Sequence, residues 1–213
     1  MPTRSNGVVA GEDGVARCFW CAGDALYRSY HDREWGFPVA DDQRLFEKIA
    51  LEGFQAGLSW LTILRKRENF RRAFHGFAID RVARMGARDV TRLLRDAGIV
   101  RHRAKIEAAI HNAKQSARVI EQYGSLASFV WRFEPPARER PRKLTRAAVV
   151  QLTETPTSRA LSKELRAHGF SFIGPTTAYA FMQAMGLVND HLEGCAARER
   201  ALTGRARFRV PAA

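Results

Sequence analysis

Between the turn at Gly98 and the stop at Gly124, the residues Ile106, Ala109, Ile110, Ala113, Ala117 and Ile120 recur at the spacing of one helix face. A stripe of that length needs partners on both sides. The flanking segments offer shorter stretches of the same period: Leu45, Phe46, Ile49 and Ala50; Leu61, Leu64 and Phe70; Val90, Leu93 and Leu94; Leu161 and Leu165. Start and stop signals separate them. Asp41 or Asp42, Ser59, Ser125 and Pro156 stand where helices begin, and Gly124, Gly169 and Gly186 where they end. No segment alternates convincingly at the period of a strand, and no repeat is present. The expected fold class is all-α. Residues 1–16, rich in Gly, Ser, Asn and Asp, read as a disordered tail. Residues 17–195 read as a single α-helical domain, and 196–213, with five arginines to one glutamate, as a loose basic tail.

Composition narrows the partners. Thirty-five Lys+Arg against 22 Asp+Glu give a net charge of +13, which points to a polyanion, nucleic acid first and an acidic membrane surface second. No apolar run is long enough to span a bilayer, and the first 17 residues lack the apolar core of a secretory signal. Three cysteines are too few for a disulfide framework and suit a reducing, cytoplasmic setting.

Three constellations carry chemistry. In the stretch Leu51–Trp60, Glu52 follows an apolar helical pattern, Gly53 and Gly57 let the backbone turn, and Ser59 caps a new helix with Trp60 in its first turn. A half-buried acid beside an aromatic plate suits a flat, cationic ligand. Trp20, Tyr27, Tyr30 and Trp35 supply further aromatic planes of the kind a flipped base requires; the plainer reading of each is core packing. The second constellation is the helix, hairpin and helix at 158–185. Gly174, Pro175, Thr176 and Thr177 open its second helix with free backbone N–H groups, which suit phosphate, although an antiparallel helix pair with a glycine turn needs no ligand. Arg101, His102, Arg103 and Lys105 add cations nearby in sequence. The third is metal-like: His191 and Cys195 are spaced i,i+4, so on a helical turn both face one point, while Cys18 and His31 lie in the aromatic N-terminal stretch. Two Cys and two His satisfy tetrahedral zinc with no open position, a structural site; scattered buried thiols and surface histidines are the alternative.

Tyr30-His31-Asp32-Arg33-Glu34-Trp35-Gly36, Leu51 to Trp60, Gly98 to Ile106, and Gly186-Leu187-Val188-Asn189-Asp190-His191 together resemble the 3-methyladenine DNA glycosylase I family. The resemblance is collinear from about Arg17 to Cys195. It implies a helix-hairpin-helix glycosylase fold with one structural zinc per chain, held by Cys18, His31, His191 and Cys195, joining the N- and C-terminal segments. Cys21 matches no ligand position. By the same resemblance Glu52 and Trp60 are the base-recognition pair, with Glu52 the catalytic carboxylate, and Tyr30, Trp20, Tyr27 and Trp35 line the pocket. Gln55 and Leu58 enter the gap left in the duplex, and Gly174 and Thr176 contact the DNA backbone. Phe54 and Asp190 receive no role.

The function so implied is release of N3-methylated adenine from double-stranded alkylated DNA by a monomeric, monofunctional enzyme, with no membrane partner. The hairpin lacks the nucleophilic lysine of lyases, having Gly174-Pro175-Thr176-Thr177 in its place. The competing reading is a non-enzymatic, zinc-stabilised module that binds lesions without excising them. A third, an RNA-binding structural protein, rests on charge alone.

Overall fold

The computed structural model describes residues 7–212. A short antiparallel hairpin opens the chain, β1 (Val8–Ala10) on β2 (Ala16–Cys18), with Val8 opposite Cys18. One 3-10 turn (Phe19–Cys21) leads into α1 (Ala25–Arg33), followed by α2 (Asp42–Gln55) and α3 (Trp60–Ala73). Then come α4 (Ile79–Ala83), α5 (Ala87–Arg95), the long α6 (Arg103–Tyr123) and α7 (Leu126–Trp131). A loop crosses to α8 (Arg146–Gln151), the pair α9 (Pro156–Ala167) and α10 (Pro175–Ala184), and α11 (Ala196–Arg207).

The fold is all-α apart from the N-terminal hairpin. Caps act where the residue types call for them. Asp41 accepts from the Arg44 N–H, Ser59 from Thr62, Ser125 from Ser128, and Thr155 forms a reciprocal pair with Ser158 behind Pro156. Gly124, at φ +79°, ends α6 in a conformation that costs other residues strain. α6 is the central post, packed against α2, α4, α5 and α7, while α9 packs on α10 and α10 on α2.

Its buried face differs from the expected stripe. Ile106, Ala109, Ile110 and Ala113 are inside, but Ser116 and Val119 continue the core while Ala117 is exposed and Ile120 half-buried. The reason is polar. Asn112 must face inward, where its amide donates to the Ser171 carbonyl and its oxygen accepts from the Ser171 N–H, holding the α9–α10 hairpin to the post. Ser116 returns its hydroxyl to the Asn112 carbonyl, so the face rotates past Ala117.

Both tails need correction. Residues 1–6 lie outside the described residues, but 7–16 form most of the β-hairpin, fixed because the Arg17 guanidinium binds Asp13 at 2.7 Å and Asp32 at 2.9 Å. The expectation of no strand fails there for lack of length: three-residue strands show almost no alternation. The basic tail is likewise largely ordered. α11 buries Ala197 and Ala201, and Arg205 grips Glu134 with two contacts of 2.6 Å. Five arginines read as a solvated run, yet one of them closes an ion pair with a loop 71 residues earlier.

Candidate functional site: an aromatic cleft and a Cys/His cluster

α2 delivers Glu52 into the molecule on its last full turn, and α3 begins with Trp60, with residues 56–59 between it and the end of α2 at Gln55. The short link between them turns at Gly57, φ +82°. It is fixed from below by Lys105 of α6, whose ammonium donates to the carbonyls of Phe54 at 3.0 Å and Ala56 at 2.5 Å. Phe54 itself is core, packed 4.6 Å from the Phe70 ring and 5.8 Å from Phe74. It stands away from the cleft.

Glu52 and Trp60 face a cleft of about 250 Å³ lined also by Trp20, Tyr27, Tyr30, Trp35 and Gln55. The structure places all five aromatic residues named from the sequence in its wall. Trp20 lies 4.8 Å from Tyr27 and 5.0 Å edge-on from Trp35, and Tyr30 lies 5.4 Å from Trp60. Two polar atoms in this wall are buried with no hydrogen-bond partner: Glu52 Oε2 and Trp60 Nε1. Leaving such groups unpaired costs about 1–3 kcal/mol each, and a ligand with both a donor and an acceptor edge would satisfy them.

Four lining residues escape a reading of the sequence: Lys48, Val149, Ala180 and Gln183. Lys48, one turn before Glu52, places its ammonium 2.8 Å from Glu52 Oε1 and 3.1 Å from the Tyr30 hydroxyl. Burial holds that ammonium below the ordinary lysine value, though Glu52 opposes the shift. The i,i+4 spacing was the available signal. Gln183 and Val149 come from α10 and α8, and nothing local in the sequence marks them. Gln183 donates at 2.8 Å to Asp190, which also accepts from Tyr179 at 2.6 Å and pairs with Arg140. Asp190 thus has both oxygens engaged and presents none to the cleft.

The cleft opens beside a hollow lined by Gln55, Leu58, Ser59, Thr176 and Thr177. Leu58 is 41% exposed at the tip of the link. Gly174 caps α10 with Pro175 at its first position, so the Thr176 and Thr177 N–H groups start the helix without internal partners. Gln55 and Leu58 therefore share one rim with Thr176, whose helix start Gly174 caps two residues earlier.

Behind the aromatic wall lies the Cys/His cluster. The ligand atoms of Cys18, His31 and Cys195 lie within 4.8 Å of one another, all buried. His191 stands outside that trio, its ring edge-on to His31 at 4.8 Å between centroids and its Nε2 3.4 Å from the His31 carbonyl. The expected helical turn from His191 to Cys195 is absent. The segment is a tight turn closed by the Cys195 N–H on the Leu192 carbonyl at 3.0 Å, with Gly194 at φ +86°.

The donor chemistry fits a metal. His31 Nδ1 pairs with Asp32 at 2.8 Å and His191 Nδ1 with Asn189 at 2.8 Å, contacts that orient both rings, with His31 Nε2 aimed at the Cys195 sulfur 3.4 Å away. Asn189 is oriented by its amide donating to the Arg198 carbonyl. A hydrogen bond from Cys18, and then His31, holds the Cys195 thiol far below its ordinary range, at about 3, as a thiolate. Burial, with His31 beside it, keeps His191 neutral, at about 4. Cys21 Sγ lies 3.1 Å from the Cys18 carbonyl oxygen, to which its S–H donates. Trp20 lies 5.1 Å edge-on from His31. Trp35 stacks on the same ring at 6.3 Å and lies 4.8 Å edge-on from His191, so two aromatic residues touch both the cluster and the cleft.

With this geometry in view, the sequence matches the methyladenine glycosylase family over residues 20–199. The chain belongs to that family. It is 49% identical over 182 residues to DNA-3-methyladenine glycosylase 1 of Escherichia coli strain K12, covering 85% of this chain and 96% of that protein. Among solved structures, one of 3-methyladenine DNA glycosylase I superposes with a TM-score of 0.78 at 50% identity, over 84% of this chain and 98% of the other. A variant of 3-methyladenine DNA glycosylase I in complex with 3-methyladenine superposes with a TM-score of 0.80 at 37% identity, over 85% and 97%. As a methyladenine glycosylase, the chain has its whole aromatic cleft inside the matched region, and of the Cys/His cluster only Cys18 falls just before it.

Proposed function

We propose that this chain excises 3-methyladenine from alkylated DNA in base excision repair, hydrolysing the N-glycosidic bond of a nucleotide flipped into the aromatic cleft. The observation that carries the reading is the buried, unpartnered Glu52 Oε2 beside the Trp60 ring, at an aromatic cleft of base size. A base methylated at N3 is a cation, so its bond to the sugar is already weakened. The C–N bond breaks with its electron pair moving into the base, which leaves neutral; the sugar carbon takes the positive charge, adds water and releases a proton. Trp60 stacks on the cation, a contact worth about 0.5–2 kcal/mol. Glu52 attracts it and accepts from its amino group. Unmodified adenine lacks the charge, gains less from either residue, and leaves less readily. Tyr30, Trp20, Tyr27 and Trp35 enclose the base and exclude water from its faces.

The rim suits a duplex. Leu58, exposed on a link that Lys105 holds in place, fills the space of the extruded nucleotide with Gln55 beside it, and the start of α10 at Gly174 and Thr176 receives a backbone phosphate. Leu58→Ala is expected to slow excision from duplex DNA about tenfold while changing excision from single strands little, since only the duplex has a gap to fill; unfilled stacking costs a few kcal/mol. Equal losses on both substrates would remove Leu58 from that role.

We read the enzyme as a monomer acting in the cytoplasm, a setting that suits its three free, buried thiols. Among the described residues no helix is long and apolar enough to cross a membrane. The cluster is read as a zinc site held by Cys18, His31, Cys195 and, after a small rotation, His191. Bound there, zinc would cross-link the two ends of the matched region and take no part in the reaction. The α10 start carries no lysine, so the enzyme is monofunctional. Incubation with methylated DNA followed by chromatography should give free 3-methyladenine, with no adduct trapped by borohydride. Tight DNA binding without base release would favour the lesion-binding module, and a trapped adduct would contradict the monofunctional reading.

A further inference from the structure

The ammonium of Lys48 stands 3.2 Å from the centroid of the Trp60 ring and 5.3 Å from that of Tyr30, 2.8 Å from Glu52 Oε1 and 3.1 Å from the Tyr30 hydroxyl. A cation over an aromatic face and against a carboxylate is the arrangement assigned above to the substrate base. We propose that Lys48 is a placeholder cation and a specificity-determining residue: its ammonium holds the charged subsite of the base-free protein, and the cationic base enters by displacing it. This inference rests on the reading of the cleft as a base site.

The surrounding charges leave Lys48 no other anion. Glu34, at the end of α1, is held by Arg67 of α3 at 2.6 and 2.9 Å. Glu47, beside Lys48 on α2, is held by Arg71 of α3 at 2.8 Å. Arg44, on the same helix, adds a further positive charge nearby. Glu52 is therefore the one carboxylate around Lys48 without an arginine, and Lys48 and the substrate compete for it. The exchange has room: Lys48 also borders an adjoining hollow lined by Leu51, Met185, Glu34 and Glu47. Its cationic form is strained by burial, so the placeholder binds less firmly than a base that also stacks. The selective consequence is definite. An uncompensated Glu52 would favour any cation, whereas a Lys48–Glu52 pair admits only one that out-competes a tethered ammonium.

The test uses two purines of nearly equal shape, the permanently charged 3,9-dimethyladeninium ion and neutral 9-methyladenine, titrated against tryptophan fluorescence. Lys48→Met keeps the stem and removes the charge. Its preference for the charged over the neutral purine should rise about tenfold or more, the size of one desolvated cation–π contact; an unchanged or smaller ratio overturns the proposal. A second measurement avoids the variant. In wild-type protein with carbon-13-labelled lysine, the Lys48 side-chain resonances should be shifted upfield by the Trp60 ring and return to ordinary lysine positions when the charged purine binds. Resonances still shielded in the saturated complex would overturn displacement. If neither purine perturbs the fluorescence, the base site itself is wrong, a separate result that also removes the exchange.

Discussion

Glu52→Gln should bind DNA as the wild-type protein does and release 3-methyladenine about 10- to 150-fold more slowly, the range given by losing one hydrogen bond to a charged group, about 1.5–3 kcal/mol. Glu52 also lines the hollow that Leu58 and Thr176 border, but it is buried there and, as an anion, offers nothing to a backbone phosphate. Single-turnover rates and binding to uncleavable duplex separate the two effects. Charge leaves the base as the bond breaks, so a Glu52 that attracted only the bound base would favour the ground state and slow the reaction. The expected fall in single-turnover rate therefore also requires the carboxylate to stabilise the charge appearing on the sugar. Unchanged rate with weaker base binding would confine Glu52 to recognition.

The same variant leaves Lys48 buried without its anion, and breaking a buried pair costs about 3–5 kcal/mol when the remaining charge cannot escape. Here it can, because burial already lowers the Lys48 pKa. The sign follows. The unfolded chain binds the lysine proton more tightly than the folded one, so raising the pH favours the folded state over the interval between the depressed value and the ordinary ~10.4. Thermal melts of Glu52→Gln should recover with rising pH in that interval, and those of Glu52→Gln combined with Lys48→Met should not. A pH-independent deficit in the single variant would show that packing, not charge, was lost.

How far the sequence shows this site depends on how each residue is placed. Glu52, Gln55, Leu58 and Trp60 sit in one continuous stretch whose punctuation (an apolar run, two glycines and a capping serine) is local, so their joint appearance at the cleft is legible. Lys48 was legible in spacing but hidden by prior expectation, since a lysine i,i+4 to a glutamate ordinarily marks a solvated helix face. Gln183 and Val149 reach the cleft through tertiary packing of α10 and α8, which no local pattern encodes. The fold divides in the same way. Caps predicted most helix starts because capping is a contact between near neighbours. The β-hairpin and α11 depend on Arg17 meeting Asp32 and Arg205 meeting Glu134, contacts across 15 and 71 residues. The cluster is intermediate. Residue types announced a metal, but the turn at Gly194 that aims Cys195 replaces the helix that its spacing suggested.

The largest stability effect should follow from opening that cluster. Cys18 and Cys195 bracket nearly the whole domain, and β2, α1 and α11 have few apolar contacts of their own to hold them: the packing around the cluster is a small island of Cys18, Leu192, Cys195 and Ala197, separate from the main core. A cross-link closing so long a loop contributes about 4–5 kcal/mol on the chain-entropy model used for disulfides, and with each kcal/mol worth about 2–4 °C in a domain of this size, Cys195→Ser or chelation should lower the melting temperature by roughly 10–20 °C. Zinc measured in the purified protein should fall from about one per chain to near none in the variant, whose three remaining donors cannot complete a closed tetrahedral site. Base release, assayed well below the new melting point, should persist in part, because only the aromatic residues Trp20 and Trp35 carry contacts from the cluster to the cleft, whereas the Glu52–Trp60 wall is built by α2 and α3. Cys21→Ser, which keeps a donor toward the Cys18 carbonyl and lies outside the buried Cys18, His31 and Cys195 trio, should leave zinc content intact. Full zinc occupancy in Cys195→Ser, or loss of zinc in Cys21→Ser, would place the wrong sulfur at the metal.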